Sequence, residues 1–418
     1  MADEKIETPE TQTGAEETAA TKEEETQVVD LEGAVTASPD MDFVKEVIQG
    51  GGESLKKCYQ CATCSVVCNM TPEDNPFPRK EMIYAQWGMK DKLLPNPDIW
   101  LCHQCSDCTA YCPRGAKPGE VLNVVRKLSI ENYSIPQFLG KAVGKPGYLL
   151  FLLAIPAVIF LIILGSLGHL TDVPRNELGQ ISYAKFLPSL YIDGVFVPIA
   201  TFAVIVFAIG ISRYWKDMAR VSGEGQKRGS IPNLITETIG EILTHKQFEK
   251  CNVTKDRKIS HFLVFYSFIG LAITTAWAVL YLYGPPIMKL MGLQPFGWML
   301  GESPYPLTDP VKWLANGSAL MLLVGIVLVI YNRYKNKETS GLGGYYDWLF
   351  IWVVFSIMAT GILAELFRLA DIAILAYPTY FAHLVVVFFL FAYAPFSKMA
   401  HMAYRATAMV FAKRVGRE

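Results

Sequence analysis

The sequence predicts an all-α protein in two parts: a small helical domain behind a short acidic tail, then a six-span transmembrane helix bundle. Three observations predict this. Of the 418 residues 51% are hydrophobic and only 18% charged, which is too apolar for an ordinary soluble protein. Eight of the nine cysteines fall between residues 58 and 112. After Lys145 come six apolar runs, each close to the roughly 20 residues needed to cross a bilayer.

The formal net charge of −1 hides a segregation: acids crowd into the first forty residues, while bases sit in clusters between apolar segments. The start, MADEKIETPETQTG, has neither a basic n-region nor an apolar h-region, so it is not read as a signal peptide. Residues 1–40 are rich in Glu and Thr and lack aliphatic periodicity. Such a segment cannot bury enough apolar surface to offset its ordering entropy, and a disordered tail is expected.

The cysteines form two copies of one pattern, CYQCATCSVVC and CHQCSDCTAYCP, with the C-x2-C-x2-C-x3-C spacing of two-cluster ferredoxins. Three thiolates at steps of three wrap one cubane, while the fourth, set further along, reaches the neighbouring cluster. One [4Fe-4S] cluster is therefore expected on Cys58, Cys61, Cys64 and Cys112. The other is expected on Cys102, Cys105, Cys108 and Cys68. Tetrahedral zinc would normally use two separated C-x2-C pairs, and disulfides are disfavoured where thiols are kept reduced. The second copy ends in Cys112-Pro113, as the ferredoxin run does, whereas the first continues Cys68-Asn69. Between and after the copies, PRKEMIYAQWGMKDKLL and KPGEVLNVVRKLSIENY carry apolar residues at helical spacing. Residues 41–145 thus read as an α-helical ferredoxin-like domain. With eight thiolates available, His103 is expected either to support a cluster ligand or to face solvent, and not to be a ligand itself. Cys251, the ninth, reads as an ordinary reduced thiol.

Residues 146–418 read as the transmembrane domain, with spans near 148–168, 194–214, 261–283, 312–331, 347–367 and 379–403. Lys and Arg concentrate between Arg213 and Lys258, at Arg333 to Lys337 and in the C-terminal tail, while the alternate loops carry very few. By the positive-inside rule, both termini and the cluster domain face the cytoplasm of a multi-pass protein in the cytoplasmic membrane. Within the basic segment of about 215–258, IPNLITETIGEILTHKQFEKC repeats apolar residues at helical spacing. It reads as an amphipathic helix at the membrane surface or under the cluster domain, or equally as a helix that simply packs the loop.

Four histidines lie at span ends. His383 and His401 are 18 residues apart, five helical turns, so on one continuous helix they face the same way about 27 Å apart, close to the hydrocarbon thickness. Pro395 lies between them and can bend that helix. Each needs a partner at its own depth to bind haem b through two imidazoles. The topology offers His169 for His383 and His261 for His401, with His245 as the alternative partner of His401. Two haems across the membrane and two clusters beside it make an electron wire, for which a lipid-soluble quinol is the natural two-electron source. Glu365, Arg368 and Asp371, at the outer end of the fifth span, are candidate proton or quinone contacts; residues of this kind also simply mark span ends. No quinone site and no nucleic-acid partner is read from the sequence.

From residue 41 onward these features resemble the C subunit of the quinone-interacting membrane-bound oxidoreductase complex of sulfate-reducing microbes. The cysteine motifs look like those of the C subunit of heterodisulfide reductase. The membrane part is similar to the gamma subunit of respiratory nitrate reductase, in which two histidines 18 apart on one late helix ligate different haems, as His383 and His401 are spaced. That gamma subunit takes its other two haem ligands from one helix, and no second helix here bears two histidines. The resemblance implies menaquinone as the quinone. It also implies two cytoplasmic flavin- and cluster-bearing subunits resembling the A subunit of heterodisulfide reductase and, beyond them, adenylylsulfate reductase. The cysteine-rich repeats of the heterodisulfide-cleaving cluster are missing, so disulfide chemistry is not expected in this chain. Two alternatives remain: an equivalent wire in a heterodisulfide reductase-like complex serving sulfite reduction, or a haem-free membrane-anchored ferredoxin.

Overall fold

Asp40 starts the first helix, its carboxylate accepting the Phe43 N–H at 2.8 Å and so satisfying a donor the first turn leaves without a partner. The computed structural model describes residues 38–222, 228–297 and 305–417, and nearly all of the expected acidic tail, residues 1–40, lies outside the described residues. Helix α1 (Met41–Val47) is followed by the short helices α2 (Thr63–Val66), α3 (Arg79–Gln86), α4 (Lys90–Leu93), α5 (Asp98–Leu101) and α6 (Asp107–Ala110). The longer α7 (Pro118–Tyr133) opens on a proline, whose missing N–H would have had no helical partner anyway. Its apolar positions Val121, Leu122, Val125 and Leu128 are buried with Phe43, Leu55, Met82 and Trp100 in one core. α8 (Gln137–Val143) leads to the first span.

Among the described residues, the six helices long and apolar enough to cross a membrane are where the hydropathy pattern puts them. They are α9 (Leu149–Ser166) and, after the short α10 (Tyr183–Phe186), α11 (Ser189–Ser222); then, after α12 (Ile231–Thr244), α13 (Arg257–Leu290) and α14 (Pro310–Lys335); and, after α15 (Lys337–Ser340), α16 (Tyr345–Leu369) and α17 (Ala373–Tyr393). The fold is all-α, with no strand among the described residues. α9, α11 and α17 pack through Phe160, Phe196, Phe388 and Phe391. α13, α14 and α16 pack through Leu322, Ile326, Ile351, Val354 and Met358. At 34 residues, or about 51 Å, α11 is longer than a bilayer is thick. Its far end buries Tyr214 and Met218 in the same core as Tyr133 of α7, so the span continues into the cluster domain.

The last span departs from expectation. The run 379–403 is not one helix: α17 ends at Tyr393, a single 3-10 turn spans Ala394–Phe396, and Ser397 is extended at φ −104° and ψ 177°. A second 3-10 turn covers Lys398–Ala400, and a separate helix, α18 (His401–Arg414), follows. Pro395 cannot donate to the ladder, and Ser397 then accepts the Met399 N–H at 3.2 Å, capping a new start. Pro156, Pro198 and Pro378 lie inside unbroken helices, so it is proline together with the capping serine that breaks the chain here. His383 and His401 therefore do not share a helix, and their spacing of five turns carries no geometric meaning. α18 is buried by residues all round, including Tyr404, Ala408, Val410 and Phe411, and packs against α5, α11 and α12. The C-terminal helix thus belongs with the cluster domain, not with the bundle.

The amphipathic segment is helical over Ile231–Thr244 as expected. Leu234 and Thr238 are buried, and Lys413 of α18 bridges Glu237 and Glu241 at 2.5 and 2.8 Å. Its other apolar stripe, Ile231, Ile235, Ile239 and Leu243, is exposed.

Candidate functional site

The two cysteine loops are built alike. In the first, Gln60 and Ala62 have φ of +60° and +68°; in the second, Gln104 and Ser106 have +53° and +69°. These are the same two places in each motif, flanking its second cysteine. Side chains rarely adopt this left-handed region, and a pair of such residues turns each loop sharply enough to bring its thiols inward. A helical turn follows each, α2 and α6, and the two turns pack on one another. That contact carries Cys68 toward the second loop and Cys112 toward the first.

The electrostatics follow the crossed pattern. Burial, then the thiolates of Cys58, Cys61 and Cys112, pushes Cys64 up to about 11. Burial also pushes Cys68 up to about 12, and its thiolate neighbours are Cys102 and Cys105 of the other copy. Cys108 is raised by burial, then by Cys102, Cys105 and Cys68, and last by Cys64 of the other set. Thiols crowded in this way resist ionising unless cationic iron is bound among them, so the donor sets fit two clusters. Cys102 and Cys108 are buried, whereas Cys61 is exposed, with Tyr59, Val66 and Tyr111 exposed around it.

Cys251 is not an isolated thiol. It is 3% exposed and lies against Cys105. The segment around it clamps the second loop: Asp107 accepts the N–H groups of Asn252 and Val253 at 3.1 and 2.9 Å, Thr254 donates to the Cys105 carbonyl, and Arg257 donates to the Gln104 carbonyl.

Next to this loop lies a cavity of about 400 Å³ lined by His103, His245, His261 and His401 together, with Phe265, Ile326, Phe350 and Met402 among its apolar walls. His261 and His401 are thus brought to one site despite the break after α17. His401 donates from Nδ1 to the Lys398 carbonyl at 2.5 Å. Nδ1 of His261 lies 3.0 Å from Nε2 of His245, so the partner and the alternative partner touch each other. His103 meets Phe248 edge-on, and its Nε2 is buried without a partner. Burial lowers His401 to about 4, which keeps its imidazole neutral.

His383 and His169 are at the other end of the bundle. The Thr360 hydroxyl donates to the Ser356 carbonyl at 2.6 Å, so at 3.0 Å it must accept from Nδ1 of His383. A Cβ on Gly361 would lie 3.1 Å from His383 Cε1, and glycine there makes room for the ring. His169 donates from Nδ1 to the Phe186 carbonyl at 2.7 Å and stacks on that ring. Phe186 packs on Tyr377, and Tyr183 stacks on Tyr380, one turn before His383. All four expected ligands therefore have Nδ1 anchored and Nε2 unused. A metal-bound imidazole needs its other nitrogen held in this way; His261 and His401 also line one cavity, and that pair fits haem b, whereas His383 and His169 are not among the residues that line it.

The sequence reading missed the bases around the cavity. Arg126 donates to the Ile99 and Cys102 carbonyls at 2.5 Å each, and Arg405 donates to the Cys102 carbonyl at 3.3 Å. Arg257, Arg333 and Lys398 line the same space, with Asp347 paired to Lys398 and bonded to Asn123 at 2.7 Å. Burial, then Arg126, lowers Arg405 to about 10. In the sequence Arg257, Arg333, Lys398 and Arg405 registered only as topology markers, and Arg126 not at all. Glu365 is paired with Lys312 at 2.6 Å and Asp371 with Arg175 at 3.0 Å.

Comparison with known proteins agrees with this division. Residues 54–116 match the 4Fe-4S dicluster domain family. The chain is 36% identical over 95 residues to an Archaeoglobus profundus protein described as like the C subunit of heterodisulfide reductase, covering 22% of this chain and 49% of that protein. It is 33% identical over 88 residues to the C subunit of the H(2):CoB-CoM heterodisulfide,ferredoxin reductase of Methanothermobacter marburgensis, covering 21% and 47%. The chain thus spans about half the length of these curated relatives, and its ferredoxin domain is homologous to theirs. A third similarity runs through the membrane part: 24% identity over 379 residues to the citrate utilization protein B of Escherichia coli, covering 85% of this chain and 89% of that protein.

Proposed function

We propose that this iron–sulfur electron-transfer subunit takes electrons from menaquinol in the membrane and delivers them, through haem b and two [4Fe-4S] clusters, to soluble flavoprotein partners. The observation that carries this reading is the cavity where His261 and His401 meet directly beside the second cysteine loop. Its size lies within the roughly 300–1,000 Å³ of a ligand pocket. Bound there and at His383 with His169, haem b would supply one-electron transfer across the bilayer. The surplus of Arg126, Arg257, Arg333 and Arg405 suits the carboxylates of such a group. Cys102, Cys105, Cys108 and Cys68, of which Cys102 and Cys108 are buried, would hold the cluster that receives electrons from the cavity side, and the set containing exposed Cys61 would hold the one that faces a partner.

The basic segments orient the cluster domain and both termini toward the cytoplasm. The partners are then two cytoplasmic flavin- and cluster-bearing subunits resembling the A subunit of heterodisulfide reductase, with adenylylsulfate reductase as the final acceptor. A second reading keeps the wire and changes its soluble end. It is favoured by the likeness to citrate utilization protein B, which extends over most of both chains.

The test is a reduced-minus-oxidised spectrum of the detergent-extracted chain, quantified as haem per polypeptide, with His383→Ala and His401→Ala alongside. Two haems, one lost in each variant, are expected. No haem, or full haem in both variants, would leave an anchored ferredoxin.

A further inference from the structure

We propose that His245 is a positioning residue that fixes the tautomer and ring orientation of His261 as the inner haem ligand, an inference that rests on His261 and His401 holding a haem. An imidazole bound to iron through Nε2 carries its proton on Nδ1 and must donate it. Nδ1 of His261 faces Nε2 of His245 at 3.0 Å, so His245 accepts there. Its own proton is then on Nδ1, which donates to the Leu243 carbonyl at 3.1 Å. That carbonyl also accepts the Tyr266 hydroxyl at 2.8 Å, which occupies its second lone pair. The relay leaves one vacant lone pair, on Nε2 of His261. Both nitrogens of His245 are committed, which separates the two candidate partners of His401.

The backbone points the same way. His245 caps α12 in the left-handed region at φ +53° and ψ 24°, a place usually taken by glycine or asparagine. Its side chain is nevertheless buried, at 3% exposure, among the rings of Phe248, Phe262 and Phe265. A histidine held in such a conformation needs surroundings that over-determine it, and these are found at working sites. The other three ligand histidines anchor on a backbone carbonyl or a hydroxyl; only His261 leans on a second imidazole.

The experiment uses the full-length, detergent-extracted chain carrying His245→Phe, His245→Gln or His261→Ala. Haem per polypeptide, the low-spin ferric haem signal and its midpoint potential are read. The Phe variant should bind the inner haem about 10–100-fold more weakly. Its signal should shift and its potential rise, because the ligand loses the acceptor that made it more basic. The Gln variant, whose amide oxygen can take the place of Nε2, should restore all three. Wild-type behaviour in the Phe variant would overturn the inference alone. So would loss of the haem in the Gln variant with retention in His261→Ala, which would make His245 the ligand. A wild-type chain with no haem dependent on His401 would instead overturn the reading beneath it.

Discussion

Trp100 and Tyr404 stack with ring centroids 5.6 Å apart and planes inclined by only 16°. Trp100 belongs to the helix that leads into the second cysteine loop, and Tyr404 lies one turn after His401. The contact therefore sets a cysteine loop against the helix that presents His401 to the cavity. Both rings are nearly inaccessible, at 1% and 2% exposure, and Tyr133 and Tyr214 close around them.

Truncating Tyr404 should leave a void that neighbours fixed on three other helices cannot collapse into. Tyr404→Ala is expected to cost roughly 3–5 kcal/mol. Denaturant unfolding in detergent, followed by cluster absorbance, measures it. A change below about 1 kcal/mol would mean that α18 is not held by this stack.

At the other end of the bundle, Thr360 and Gly361 are expected to govern the His383 site. Thr360→Val removes the oxygen that accepts the His383 Nδ1–H and should weaken outer haem binding about 10–100-fold. Gly361→Leu fills the space the ring uses and should abolish that site. Both variants should keep the iron–sulfur signals. Outer haem content unchanged in both would remove His383 from the ligand set.

These sites differ in how far the sequence revealed them. The dicluster domain is legible from cysteine spacing because a cubane demands a local ligand geometry, and the spans are legible because a bilayer demands length and apolarity. The break after Tyr393 is not legible: a proline inside an apolar run reads as a bend, and it is Pro395 together with the Ser397 cap that makes it a break. The approach of His245 to His261 was equally hidden, since it depends on how the residue after α12 folds back on α13. Arg126 and Arg405 look like surface charges in one dimension. Only the packing of α7 and α18 turns them inward.

Cys251 should tune the buried cluster. With Cys105 bound as thiolate, the Cys251 S–H becomes the donor between them, and hydrogen bonds to cluster sulfur favour the reduced, more negative state. Cys251→Ala should lower that cluster's potential by on the order of 40 mV or less, the one-electron equivalent of about 1 kcal/mol. An EPR-monitored redox titration reads it, with full iron content as the control. A loss of iron instead would make Cys251 a support of the cluster's assembly and not of its potential.

Glu81 and Asp98 should share a proton. Glu81 Oε2 and Asp98 Oδ1 are both buried without a partner, while Glu81 Oε1 accepts from Asn96 at 2.9 Å and Asp98 Oδ2 pairs with Lys80 at 2.9 Å and with Arg417. A proton on Glu81 Oε2 that is donated to Asp98 satisfies both orphaned oxygens. Burial first, and the Asp98 charge second, push Glu81 up to about 8, against the opposing pull of Lys80. The native state then holds a proton that the unfolded chain releases near pH 4.5, so stability from this group is full below that value. It falls as pH rises toward about 8. Glu81→Gln carries the same donor at every pH. Relative to wild type it should gain on the order of 1–3 kcal/mol as pH rises across this window. Paired unfolding measurements at pH 5 and pH 8 supply the comparison, and a difference that is flat or of opposite sign would mean that Glu81 is ionised in the folded protein.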